Sequence, residues 1–504
     1  MGYSAVNKDL MCRYGNKPYI IVELAFMALI PSALSETLAC KLKDYYIDCL
    51  KSDLSAHDKI EFEIALSCFD FCTKDKLINL KAKGFTEEEI NSINTSLYNL
   101  TLNAINDYKK VLRTDTDSLQ KLEAIRKECF QKYNKNTFIQ SISKIIHKLL
   151  NAITEFGTAQ FSRHARYAFI ARSIAQSLKN KGYWSSLDFD NFMARIHTVT
   201  SDLEQAFKDL QTGAITKERF FETYGHLRAG TYDITKPRYD MQDIGIFNTS
   251  PLINKQMQSV SVKDVPDAVL LDAQLQQKTE KALQESNISI NAEELLSFMK
   301  TSLEQREYFK FTFTKSLSFV LELIAEIAQK LNVTREEIAF FDINEIISFC
   351  FYGVQEEIKQ YILELLPVRK KEYALYSKLI LPSVFTKTSD FDFIQITEVR
   401  PNFISTKIIK APVAFLDTNN PDFNLQGKIV AIEKAAPGYD WIFTKGIAGL
   451  ITCYGGVASH MAIRCAEFEL PAAIGCGQTI FDFASKQNVL CLDCKHGKIT
   501  KGIL

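Results

Sequence analysis

The sequence predicts a multidomain chain with two unlike parts, a large mostly helical region and then a smaller α/β domain. Between residues 36 and 382, apolar side chains recur at the 3.6-residue spacing of amphipathic helices. After about residue 401, short β-branched runs alternate with turns, as strands require. We expect an extended segment over 1–35, a helical domain over 36–382, a linker over 383–400 and an α/β domain over 401–504.

The first segment is interpreted as extended because Tyr19-Ile20-Ile21-Val22 is rich in β-forming residues and Pro31 ends the run. The apolar stretch is too short to span a bilayer, and Glu23 interrupts it. The N-terminus lacks the basic flank and the cleavage site of a signal peptide. We therefore expect a cytoplasmic protein with no membrane partner.

The clearest predicted helix carries one apolar stripe. Its members are Ile139, Ile142, Ile146, Leu149 and Ile153, and Gly157 follows as a stop signal. Further helices are predicted over 160–180, 200–211, 293–306, 315–331 and 353–379. A non-helical stretch over 225–243 contains the turn formers Gly225, Gly230 and Pro237. Loops inside helical domains often carry function, so this stretch is a candidate site.

The α/β domain has five β-branched runs and one clear helix. Strands are predicted over 407–416, 428–433, 448–453, 472–474 and 489–492. The third strand leads into a Gly455-Gly456 turn, after which Ser459 is a good N-cap for a helix that starts at His460. That helix should end before Pro471.

The charge balance and the cysteines exclude some functions. The chain has 60 basic and 60 acidic residues, whereas a nucleic-acid-binding protein needs a net basic surface. Cys491 and Cys494 form a CxxC pair, but zinc would require a second pair of ligands with suitable spacing. We therefore predict neither a nucleic-acid partner nor a metal site.

The start of the helix at His460 suggests phosphate chemistry. Unpaired backbone N–H groups and the helix dipole favour negative charge at a helix N-terminus. Gly455 and Gly456 allow the backbone to approach a phosphate closely. The same N-terminus should lower the pKa of His460 and keep its imidazole neutral and nucleophilic. Arg464 lies one turn further on. The spacing alone leaves open a histidine that only caps the helix.

The segment resembles the signature of the PEP-utilising enzymes, the family of PEP synthase, pyruvate phosphate dikinase and rifampin phosphotransferase. The matching residues are Gly455, Gly456, Ser459, His460, Ala462, Ile463 and Glu467, then Leu470-Pro471-Ala472-Ala473-Ile474-Gly475, with Pro437-Gly438 upstream. The resemblance implies a swivelling β/β/α phosphohistidine domain. It implies that His460 is the phosphorylated catalytic residue and that Gly455, Gly456, Ser459 and Arg464 contact the phosphate. One departure is Ala466, where many members carry Arg.

A second segment resembles a central motif of the same family. It comprises Tyr224-Gly225-His226-Leu227-Arg228, Thr231-Tyr232-Asp233-Ile234 and Pro237-Arg238-Tyr239. The resemblance implies that His226, Arg228 and Arg238 bind the acceptor or the transferred phosphoryl group. The alternative is a structural histidine in a loop with surface arginines.

Taken whole, the chain most resembles the bacterial L-glutamine kinase branch, which phosphorylates the side-chain amide of L-glutamine for capsule biosynthesis. This resemblance implies a dikinase-type kinase: ATP loads His460, and the domain then carries the phosphoryl group to a small acceptor, L-glutamine. ATP and Mg²⁺ would bind to an ATP-grasp domain, of which the sequence shows no sign. We expect a half-enzyme that needs a separate ATP-grasp protein as its partner.

Two other interpretations stay open. The acceptor is pyruvate or another small molecule, as in PEP synthase, or the chain is a non-catalytic phosphocarrier or a truncated remnant. The intact His226 segment favours catalysis.

Overall fold

The protein is described by a computed structural model. The described residues are 2–4, 9–57, 60–134, 136–228, 230–241, 273–286, 288–377, 381–382, 384–385, 401–417, 420–421, 424–435, 437–456 and 459–502. Apart from residues 384 and 385, the predicted linker over 383–400 lies outside these ranges.

The N-terminal segment contains a hairpin and a short helix. Strands β1 (Met11–Tyr14) and β2 (Lys17–Ile20) pair antiparallel through a two-residue turn. Helix α1 (Val22–Met27) follows, where the sequence predicted only extended structure. The difference has a tertiary cause, because α1 buries Phe26 against helix α2 (Glu36–Ser52) in a common core.

The helical region continues from α2 to residue 377. Its helices are α3 (Thr73–Lys81), α4 (Glu87–Lys132), α5 (Ile139–Ile153), α6 (Ala159–Asn180), α7 (Ser186–Ala194), α8 (Val199–Thr212), α9 (Lys217–Tyr224), α10 (Ala273–Glu285), α11 (Ala292–Lys330), α12 (Arg335–Ile338), α13 (Ile343–Tyr352) and α14 (Gln355–Ser377). The predicted apolar stripe of α5 is buried throughout. None of the helices in the described ranges has the length and apolarity to cross a membrane.

Helix α11 is the central element of the helical region, and it packs against α4, α5 and α6. It runs unbroken through residues 307–314, where the sequence analysis predicted a gap between two helices. That stretch is rich in aromatic residues and threonine, which are poor helix formers. Packing outweighs this propensity, because Phe309 stacks on His164 at 4.0 Å and Phe313 lies 5.5 Å from Phe161, both on α6.

The C-terminal domain is a curled sheet with helices, as the sequence predicted. Its strands are β3 (Asn402–Ile404), β4 (Ile408–Asp417), β5 (Asn420–Pro421), β6 (Ile429–Lys434), β7 (Gly449–Tyr454), β8 (Ala472–Ile474), β9 (Val489–Asp493) and β10 (Lys498–Lys501). The order is β10-β9-β4-β6-β7-β8-β3, with β5 paired to β4. The four strands β4, β6, β7 and β8 are parallel. Helices α15 (His460–Glu467) and α16 (Gly477–Ser485) follow β7 and β8.

The two regions share one hydrophobic core. Leu203 and Phe207 of α8 belong to the same buried cluster as Trp441 and Ile442 of a 3₁₀ helix over Pro437–Lys445. Ion pairs surround this core: Lys434 with Asp233 at 2.7 Å, Lys236 with Glu433 at 3.5 Å, and Arg464 with Glu204. This packing places the start of α15 against the helical region.

The turn before α15 depends on a close contact between two glycines. Gly475 follows β8 with φ +70°, and a Cβ there would lie 2.2 Å from the carbonyl oxygen of Gly455. Any side chain at Gly475 would therefore push the Gly455 turn away from β8.

The substitution Gly475→Ala tests this contact against Gly427→Ala. Gly427 has φ +69° and no atom within 4 Å of an added Cβ, so its change costs only the left-handed conformation, about 1–2 kcal/mol. We expect Gly475→Ala to lower the thermal unfolding midpoint of the C-terminal domain more than Gly427→Ala does, because it adds a backbone clash. Calorimetry measures both variants, and equal midpoints would contradict the contact.

Candidate active site

The helix that carries His460 starts as the sequence predicted. Strand β7 ends at Tyr454, the chain passes through Gly455 and Gly456, and α15 begins at His460. Ser459 is the N-cap, and its side-chain oxygen accepts a hydrogen bond from the backbone N–H of Ala462 at 3.4 Å. The imidazole therefore lies at the N-terminal end of α15, beside the glycine turn.

The partner of His460 is a buried aspartate. Nε2 of His460 lies 2.7 Å and 2.6 Å from the two carboxylate oxygens of Asp440, which is only 2% exposed. The sequence analysis assigned Asp440 no role. A usable signal was present, because a carboxylate inside the apolar run Tyr439–Phe443 requires a partner if it is buried.

Asp440 raises the pKa of His460, whereas the sequence analysis predicted a lowered pKa. Burial lowers the pKa of the imidazole, but the hydrogen bond to Asp440 and its negative charge outweigh burial, so the pKa is raised. Glu307 raises the pKa further, and Lys310 lowers it. The prediction that the helix N-terminus lowers this pKa is therefore wrong, because an adjacent carboxylate is stronger than a helix dipole.

His460 and Asp440 face a cavity of about 80 Å³ between the two regions. The helical region supplies its other walls. They are Val199 and Leu203 of α8, Leu227, Arg228 and Thr231 of the loop after α9, and Glu307, Lys310, Phe311 and Thr314 of α11. The cavity thus has an apolar side and a charged side.

Arg228 is the only one of the three predicted acceptor residues that lines this cavity within the described part of the chain. Its guanidinium is buried and donates to Glu322 at 3.0 Å and to the Ser318 hydroxyl at 2.9 Å. It also donates to the carbonyl oxygens of Asp233 and Lys236 at 3.4 Å. These bonds shape the loop.

His226 and Arg238 lie beside the cavity walls. The His226 ring packs edge-on against Phe311 with centroids 4.8 Å apart, and burial lowers its pKa to about 3, so the imidazole is neutral. Arg238 forms an ion pair with Asp240. The described contacts of both residues are thus with the protein itself.

Arg464 points to the helical region instead of the phosphate position predicted for it. Its guanidinium pairs with Glu204 of α8 and lies over the Phe468 ring at 4.6 Å from the centroid. The carboxylate of Glu204 and the aromatic face compete for the cation that the sequence analysis assigned to the phosphate. Arg464 therefore connects the two regions in this arrangement.

The described residues contain no group of three or more His, Cys, Asp or Glu side chains that would suit a metal ion. The Cys494 thiol of the CxxC pair is buried and donates to the carbonyl oxygen of Ala472 at 3.5 Å.

The fold of the C-terminal domain is consistent with the swivelling domain of the PEP-utilising enzymes. Residues 423–497 match the family model of the PEP-utilising enzyme, mobile domain. The match contains both Asp440 and His460. It supports the relationship to PEP-utilising enzymes that the signature around His460 implied.

Two curated relatives support the same relationship. The chain is 25% identical over 280 residues to rifampicin phosphotransferase of Bacillus cereus, which is 51% of this chain and 31% of the relative. It is 30% identical over 142 residues to rifampicin phosphotransferase of Bacillus subtilis, which is 26% of this chain and 16% of the relative. The chain thus matches less than a third of the length of these relatives.

Replacement of Asp440 by Asn tests the imidazole–carboxylate pair. We expect the pKa of His460 to lie above the ordinary 6.5 in the wild type and to fall in Asp440→Asn, because the amide carries no charge. The raised pKa means that the pair stabilises the fold at low pH and that this contribution is lost as pH rises through the folded pKa. An NMR titration of the histidine ring measures the pKa of His460 in the wild type and in Asp440→Asn. Asp493→Asn, next to His496 on the surface, serves as the control and should leave the His460 titration unchanged.

Proposed function

We propose that the chain is an ATP-dependent phosphotransferase in which His460 carries a phosphoryl group to a small acceptor, the side-chain amide of L-glutamine. One observation carries the proposal: the imidazole at the start of α15 has a buried carboxylate on Nε2 and faces the cavity between the two regions. The matched family model and the named relatives support phosphotransfer chemistry.

Asp440 supplies the proton acceptor that loading of His460 requires. Attack on phosphorus needs a nitrogen lone pair, and the raised pKa favours the protonated imidazole. The single in-plane orbital of Nε2 points at Asp440, so its proton passes to the carboxylate first. The ring then turns away from the carboxylate, Nε2 forms the bond to phosphorus, and the bond from phosphorus to the leaving group breaks on the opposite side. Protonated Asp440 then donates a hydrogen bond to the phosphoryl group and removes the repulsion between two anions.

The second transfer uses the same proton in reverse. The acceptor nitrogen attacks phosphorus while the bond from phosphorus to Nε2 breaks, and Asp440 returns its proton to Nε2. The carboxylate then accepts the proton that the acceptor amide loses. This relay places Asp440 as a general base in one step and as an acid in the next.

The phosphoryl donor in this proposal is ATP, with Mg²⁺. We assign ATP and Mg²⁺ to an ATP-grasp domain in a separate protein that serves as the partner. Movement of the domain over 401–504 between this partner and the helical region would link the two half-reactions.

A second acceptor class is favoured by a groove beside the cavity. This groove has a volume of about 740 Å³, shares Thr231 and Lys310 with the cavity, and has an apolar wall that includes Ile324 and Phe341. A large apolar acceptor such as rifampicin, the substrate in the names of the relatives, would occupy both spaces.

A labelling experiment tests the carrier role. The protein is incubated with an ATP-grasp partner, Mg²⁺ and ATP labelled at the β-phosphate, and we expect acid-labile, base-stable label on His460. His460→Ala should abolish labelling, whereas His496→Ala, a surface histidine of the same domain, should retain it. Label elsewhere in the chain, or on His460→Ala, would show that the proposed carrier is wrong.

Discharge of the labelled protein identifies the acceptor. L-Glutamine, pyruvate and rifampicin are added separately, and we expect L-glutamine to remove the label and to yield a phosphoramidate detectable by mass spectrometry. If rifampicin alone removes the label, the acceptor belongs to the larger apolar class. If pyruvate alone removes the label, the acceptor is that of the PEP-synthase type. Stable label with all three would favour a carrier that acts on another protein.

The ion pair of Arg464 with Glu204 provides a separate test of docking. Arg464→Met should leave the labelling rate unchanged but slow discharge about fivefold, roughly the 1 kcal/mol of a partly exposed ion pair. Glu204→Gln should give the same result, and the double variant should be no slower than either single one. Additive effects in rapid-quench kinetics would argue against a shared contact.

A further inference from the structure

The charged side of the cavity contains one acidic and one basic group next to each other on α11. Glu307 and Lys310 are three residues apart, so they occupy neighbouring positions on one face of the helix. Both line the cavity that contains His460. The charge of Glu307 raises the pKa of the imidazole and the charge of Lys310 lowers it, so both charges act on His460.

Lys310 is available to a ligand, in contrast to Arg228. Among the described residues Lys310 has no hydrogen-bond or ion-pair partner, and its side chain is partly exposed to the cavity. The guanidinium of Arg228 is occupied by Glu322 and Ser318. An anionic group in this cavity therefore finds its cation in Lys310.

Glu307 is the matching anion. Its described ion pair is with its chain neighbour Arg306, at 3.3 Å, and the Arg306 side chain is 42% exposed. Pairs of this kind contribute little, so a ligand ammonium in the cavity can replace Arg306 at low cost. Asp440, the other carboxylate of the cavity, is already paired with His460.

We propose that Glu307 and Lys310 recognise the ammonium and the carboxylate of an α-amino acid whose side chain extends to His460. An α-amino acid carries both charges on one carbon, which requires two opposite protein charges side by side. The net charge of Glu307 and Lys310 is zero, so a zwitterion is matched, whereas an acid without an ammonium group leaves Glu307 unpaired. This inference rests on the proposed phosphotransfer and adds the specificity residues of its acceptor.

Binding to the unphosphorylated protein tests the recognition without any transfer step. Isothermal titration calorimetry is run with L-glutamine, with glutaramate, which lacks the ammonium group, and with γ-aminobutyramide, which lacks the carboxylate. We expect the wild type to bind L-glutamine most tightly. Lys310→Met should weaken the binding of L-glutamine and of glutaramate about ten- to hundredfold, which is the effect of losing one charged hydrogen bond. The affinity for γ-aminobutyramide should not change.

Glu307→Gln should give the opposite pattern: it should weaken the binding of L-glutamine and of γ-aminobutyramide but not the binding of glutaramate. Lys310→Arg should restore part of the lost affinity, and Lys300→Met, on the same helix outside the cavity, should change nothing. Equal binding of the three ligands by the wild type, or an equal loss of affinity for all three in Lys310→Met, would overturn the inference.

If the binding pattern holds but His460 is never labelled, the phosphotransfer proposal fails alone. If labelled His460 is discharged by L-glutamine but both variants bind as the wild type does, the recognition inference fails alone.

Discussion

The hydrogen bond between Asp440 and Nε2 of His460 is the interaction on which the site depends. A carboxylate that is 2% exposed is costly to bury without a charged or hydrogen-bonding partner, and the imidazole is the partner that it has here. The bond orients the imidazole ring and raises the pKa of His460. Without this contact the pKa would fall, because burial alone lowers it.

The 3₁₀ helix that carries Asp440 also takes part in the packing of the two regions, because its Trp441 and Ile442 enter a core shared with α8. The apolar contacts in this shared core supply most of the packing. Of the three ion pairs around it, the two of Lys434 and Lys236 are partly exposed, whereas Arg464 and Glu204 meet through buried charged atoms.

Sequence reasoning predicted well whatever depends on local pattern. The apolar stripe of α5, the five strands from β4 to β9 apart from the short β5, and the start of α15 at His460 all follow from periodicity and turn chemistry within a few residues. It failed where packing outweighs propensity. The aromatic stretch around Phe309 stays helical because its rings are buried, and Val22–Met27 is helical because Phe26 fills a core.

The sequence by itself determined the local backbone of the candidate site, since the Gly455-Gly456 turn and the Ser459 N-cap place His460 at the first position of α15. The tertiary structure alone decided which groups surround His460. Asp440 is 20 residues from His460 in the chain, and Glu204, Glu307 and Lys310 come from helices of the other region. Electrostatic effects act through space and depend on burial, so neither the raised pKa of His460 nor the occupation of Arg464 and Arg228 by acidic partners follows from their positions in the chain.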